Sequence, residues 1–121
     1  MSFDALCEKI MKIDQGLRFV GVYTDNGELV SSQMRENTPS MLTPEQIRMS
    51  MYYARHKYET REHLTFIIGK EEFSLTKYEK VLLFTIPLKD DNLLLVSADP
   101  TTDYPKIVDE ILKVIKETEK S

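Results

Sequence analysis

The order of hydrophobic patterns constrains this chain more than any single residue does. A helical stripe comes first, then a hairpin, a second helix, a meander of strands and a last helix. Ser2 is placed as an N-cap. Phe3, Leu6, Cys7, Ile10 and Met11 recur at helical spacing, with Asp4, Glu8, Lys9 and Lys12 opposite, and the stripe ends near Ile13. Acids lie early and lysines late, matching the helix dipole. Leu17 to Thr24 reads as a strand, Asp25-Asn26-Gly27 as a turn, and Leu29-Val30 as the start of the returning strand. Asn-Gly between apolar runs predicts a type I′ turn, with positive φ at both central residues. Gly21, inside the first strand, marks a bulge or a close packing approach.

Residues 35–40 are polar and contain Pro39, so they form a connection. Thr43-Pro44-Glu45-Gln46 then opens a helix, with Thr43 as N-cap, Pro44 in the first turn and Gln46 closing a capping box. Ile47, Met51, Ala54 and Tyr58 form one stripe. Met49, Tyr52 and Tyr53 lie off it, so this helix is apolar beyond one face and is either deeply buried or shared with a second partner. The Leu64–Ile68 run fits a buried strand or a helix end. Phe73, Leu75 and Lys77 alternate with polar residues as a half-exposed strand does. Val81–Leu88 and Asn92–Ala98 are strong strands joined at Lys89-Asp90-Asp91, and the leucine-rich second one reads as central, covered on both faces. After the loop Asp99–Asp103, Tyr104, Ile107, Val108, Ile111, Leu112 and Ile115 make the cleanest helical face in the chain.

The expected class is therefore α+β: a central antiparallel five-stranded sheet flanked by three helices, in the order α-β-β-α-β-β-β-α. The first and last helices belong on one face, and the second on the other face or at the edge. With 121 residues the chain suits one domain, over residues 1–117, with 118–121 a short polar tail. A net charge of −4, with basic residues scattered among acids, argues against a nucleic-acid partner. Arg55, His56, Lys57 and Arg61 are interleaved with Glu59 and Glu62 and read as a solvated face. One cysteine, no leader-like segment and no apolar run of spanning length point to a cytoplasmic protein with no membrane span.

This element order resembles that of the roadblock/dynein light chain domains, and is close to the longin and profilin-like group. A second resemblance is to a family of small archaeal proteins, chiefly from ammonia-oxidising archaea. It is carried by Ile13-Asp14, Arg18–Val22, Gly27, Leu29-Val30, Met34-Arg35, Tyr78–Val81, Ile86–Leu88 and Leu95–Asp99. That second resemblance implies no activity. The roadblock resemblance implies a dimer, and a platform that binds or regulates a small GTPase, by analogy alone.

Catalytic chemistry is not legible. Cys7 lies in the apolar stripe of the first helix, where a thiol packs as a small hydrophobe. His56 and His63 lack the further ligands a zinc site needs, and no metal or cofactor is expected. Asp90-Asp91 and Asp99 have turn chemistry rather than acid–base spacing. Gly69-Lys70 has no glycine-rich loop before it. Arg35 is the polar residue to watch, suited to an anion or a partner carboxylate. Met34, Met41, Met49, Met51, Tyr52 and Tyr53 concentrate adaptable contact side chains. The expectation is a non-enzymatic, homodimeric interaction module that makes its contact through Glu45–Tyr58 and a neighbouring strand. Met49, Tyr52, Tyr53 and Arg35 are the interaction residues. The alternative is a small-molecule sensor of the PAS/GAF kind. An enzyme would need a cleft that gathers Asp99, Arg35 and a histidine.

Overall fold

The computed structural model describes residues 2–36 and 43–120. The elements are α1 (Phe3–Met11), β1 (Leu17–Tyr23), β2 (Leu29–Met34), α2 (Pro44–Arg61), a single-turn α3 (Thr65–Ile68), β3 (Ser74–Lys77), β4 (Leu82–Pro87), β5 (Leu93–Ala98) and α4 (Tyr104–Lys120). The expected connection around Pro39, and Met41, lie largely outside the described residues. The strands form one antiparallel sheet in the order β2-β1-β5-β4-β3. β5 is central, as its unbroken apolar run requires. Leu94, Val96 and Ala98 serve one face, and Leu93 and Leu95 the other.

The first face is sealed by α1 and α4. Leu6, Cys7 and Ile10 from α1, and Ile107, Val108, Ile111 and Ile115 from α4, close over Val20, Val22, Phe84, Leu94 and Val96. α1 is capped by the Ser2 hydroxyl, which accepts from the Ala5 N–H. It is tied to β2 by the Ser31 hydroxyl, which donates to Asp4. α4 continues to Lys120, and Thr118 is buried, its hydroxyl donating 2.8 Å to the Val114 carbonyl. The polar tail expected from Thr118 is thus helix up to Lys120. Lys116 and Glu117 take the solvent side of an amphipathic helix with no Gly or Pro after Pro105.

α2 lies on the opposite face. Its capping box forms as its sequence predicts: Thr43 Oγ1 accepts from Gln46 N, and Gln46 Oε1 accepts from Thr43 N. The Leu64–Ile68 run is a helix end rather than a strand: a tight turn over Glu62–Leu64 leads into α3, and Gly69, at φ 90°, terminates it.

The two hairpins exchange the chemistry expected of them. In the β1–β2 loop only Gly27 has positive φ (81°); its N–H donates to the Thr24 carbonyl, and Thr24 N–H to the Glu28 carbonyl. This is a three-residue loop flanked by a bulge, where the β1–β2 register shifts between Val22 and Tyr23, not a type I′ turn. The Thr24 hydroxyl decides it, by accepting from the N–H groups of Asn26 and Glu28. The positive-φ pair belongs to Asp90 and Asp91, both at 61°, in the β4–β5 turn. Aspartate tolerates the left-handed region because its side chain bonds locally.

Candidate functional site

The second face of the sheet is where the molecule is open. Its floor is built by alternation: Phe19, Gly21 and Tyr23 from β1, Leu83 and Thr85 from β4, Leu93, Leu95 and Ser97 from β5, and Ser74 and Thr76 from β3. α2 reaches this floor chiefly through Met51, buried against Tyr23, Leu93 and Leu95, with Ile47 half-buried beside it. Two arginines also hold the helix. Arg55 donates 2.6 Å to the Asp91 carbonyl at the β4–β5 turn, and Arg61 pairs with Glu71 just before β3. The basic stretch expected to be only solvated therefore supplies two of the helix's anchors. Its residues 55–61 are helical.

Because α2 is pinned along one line, a cleft of about 990 Å³ opens between its flank and the sheet. Phe19, Met34, Ile47, Met49, Leu83 and Leu95 supply its apolar lining, and Arg18, Glu45, Lys57 and Lys80 its charges. Gly21 has its explanation here. A Cβ at this position would meet Phe19 Cζ at 2.7 Å, so the glycine allows the Phe19 ring to lie across the sheet: a close approach rather than a bulge.

Of the four expected interaction residues, the structure brings two to the cleft. Met49 and Tyr53 line it, whereas Tyr52 does not. Tyr52 points away, its ring edge-on to that of Tyr53 at 5.6 Å. Exposures of 47%, 64% and 58% for Met49, Tyr52 and Tyr53 make this flank apolar and, among the described residues, uncovered. Arg35 is separate from them. It donates to the Gln15 carbonyl and lies 3.5 Å from Asp99, whose other oxygen accepts from Arg18 at 3.0 Å. Asp99 also closes its turn, its carbonyl accepting from the Thr102 N–H at 3.1 Å. Asp99 is thus both a turn former and the carboxylate between two guanidiniums, locking the end of β5 to β1 and to the exit of β2. Sequence reasoning missed Arg18, since a lone arginine in a strand gives no hint of a partner 81 positions away.

No acid–base machinery assembles around that ion pair. His56 and His63 are exposed on and after α2, and among the described residues no group of three or more His, Cys, Asp or Glu could hold a metal ion. Cys7 is fully buried, and burial pushes its thiol up, away from the reactive thiolate. On the open face, burial raises Tyr23 to about 12. Tyr58 is raised by burial, with Glu62, Glu71 and Asp91 adding to the effect and Arg55 opposing it. No helix among the described residues is long and apolar enough to cross a membrane.

A family model described as a family of unknown function (DUF6659) matches residues 1–120. No curated protein matches the chain in sequence. Among solved structures, a roadblock/LC7 domain from Streptomyces avermitilis superposes with a TM-score of 0.74 at 15% identity, covering 99% of this chain and 97% of that one. The gliding protein MglB from Thermus thermophilus gives 0.66 at 12%, covering 93% and 87%. A further MglB structure, described as a tetrameric arrangement, gives 0.65 at 12% with the same coverage. The chain therefore has the roadblock/LC7 fold.

Proposed function

The chain belongs to DUF6659, a family of unknown function, and we propose that it is a non-enzymatic interaction module that works as a homodimer. The observation that carries this reading is the uncovered flank of α2 beside an open sheet edge. Met49, Tyr52 and Tyr53 are exposed on the helix, and β3, at the sheet edge next to the cleft, has an unpaired side among the described residues. An edge strand invites pairing with another chain, and aromatic and methionine side chains favour contact surfaces. A fold-mate assembles as a tetrameric arrangement, which is compatible with self-association of this fold. The partner class implied by the roadblock resemblance is a small GTPase, docking on the assembled dimer.

The test is solution mass by light scattering over a range of concentrations. The expected result is a stable species of about twice the 14.1 kDa chain. The double substitution Met49→Glu and Tyr52→Glu should shift it to monomer while leaving the far-ultraviolet spectrum unchanged. A wild-type monomer at every concentration would sink the proposal.

A second reading, a small-molecule sensor, is favoured by the cleft itself, whose volume lies at the upper end of ordinary ligand sites. A metabolite released on denaturing the purified protein would select it.

A further inference from the structure

Among the described residues, the most exposed apolar segment is not on α2 but just beyond it. Phe66, Ile67 and Ile68 in α3 are 94%, 81% and 75% exposed, and Leu64 and Phe73 on either side are partly so. Three consecutive large apolar residues on one helical turn point in three directions, and none of them finds its own core. The same chain carries an apolar cleft along β3 and β4.

Topology relates the two. α3 precedes β3, whereas Tyr78, Lys80 and Val81, which follow β3, line the cleft. If two copies of β3 pair antiparallel about a twofold axis, residues before the strand in one copy lie beside residues after it in the other. The charges agree with this placement. Around α3, Glu62 and Glu72 stand against Lys70, with Glu71 paired to Arg61, while the cleft carries Lys57 and Lys80 against Glu45, with Arg18 paired to Asp99.

We propose that, in the homodimer, the Phe66–Ile68 knuckle of each chain enters the cleft of the other between α2 and β3–β4, so that each cleft is completed only by the second copy. This rests on the dimer reading above and adds to it the occupant of the cleft.

The experiment uses the full chain in two parts. First, the mass of the wild type is compared with that of the Phe66→Glu, Ile67→Glu double variant. Both side chains are solvent-facing within one chain, so the fold should persist, and the dimer dissociation constant should rise at least tenfold. Second, an Ile67→Cys chain is mixed with a Lys80→Cys chain and oxidised. A disulfide joining the two different chains supports the proposal, with buried Cys7 of the wild type as the unreactive background. A wild-type monomer overturns both this inference and the dimer reading. A wild-type dimer that survives Phe66→Glu, Ile67→Glu overturns the knuckle alone. So does a dimer whose Ile67→Cys chains link only to each other, or a cleft that releases a small molecule from the intact dimer.

Discussion

The two faces of the sheet differ in how they are closed, and the difference separates the core that holds the fold from the apolar surface left exposed among the described residues. The α1/α4 face is shut by two helices with single apolar stripes, and its central side chains are removed from water almost completely. The α2 face has one helix, anchored by Met51, Ile47 and two arginine contacts, over a floor that is only half covered. Apolar surface left open at this scale is expensive to keep in water unless something covers it. A chain that needed only to be stable would fill the cleft with larger side chains at Ser74, Thr76, Thr85 and Ser97. Small and polar residues there leave the floor open.

The comparison breaks first on the closed side. Phe84 is fully buried at the centre of β4 beneath the helix pair. Phe84→Ala should cost about 3–5 kcal/mol, from lost transfer energy plus the cavity. That is a large share of the stability of a domain this size. Urea denaturation should show a sharp fall in midpoint; a loss under about 1 kcal/mol would mean the α1/α4 face is not the core that holds the fold. Met51→Ala, the corresponding deletion on the open side, should cost about 2 kcal/mol, at the low end for a buried methionine, because water and the cleft lie beside it. Its signature should be local: hydrogen exchange over Pro44–Arg61 rises while β1 and β5 stay protected. Equal loss of protection in β5 and α2 would show that the helix is part of the global cooperative unit.

The closed face was legible from sequence because its signals are local. Helical stripes at Leu6, Cys7 and Ile10, and from Ile107 to Ile115, and the continuous leucines of β5, state their burial within a few residues. The open face was legible only in part. Met49, Tyr52 and Tyr53 stood out as excess apolar surface on α2, but that Met49 and Tyr53 line a cleft while Tyr52 faces away depends on where Met51 docks. Leu64–Ile68 fitted a buried strand or a helix end because burial is the usual fate of such a run; the exposure of Phe66–Ile68 depends on there being no element above it among the described residues. The turns show the same limit. Asn26-Gly27 has the residues of a type I′ turn, yet the Thr24 hydroxyl selects another loop, and Asp90-Asp91 adopts the positive-φ pair instead. The Arg18–Asp99–Arg35 lock joins three separate strand ends, a pairing that no local pattern announces.

A pH dependence sharpens the comparison most, because it reports on a residue of the open face. Tyr23 belongs to the floor beneath Met51, and burial lifts its phenol to about 12 from the ordinary value of 10. Between those values the folded chain holds a proton that the unfolded chain has lost. Stability from this group is therefore full below pH 10 and declines as pH rises, by about 1.4 kcal/mol per pH unit at most, until the folded phenol also ionises. The comparison is with Tyr23→Phe, whose stability should fall less steeply above pH 10. Because Tyr23 contacts α2 through Met51, the loss should first appear as exchange of α2 amides and only later as global unfolding. Identical pH profiles for wild type and Tyr23→Phe would mean that the phenol is already hydrated, and that the open face is looser at Tyr23 than its burial indicates.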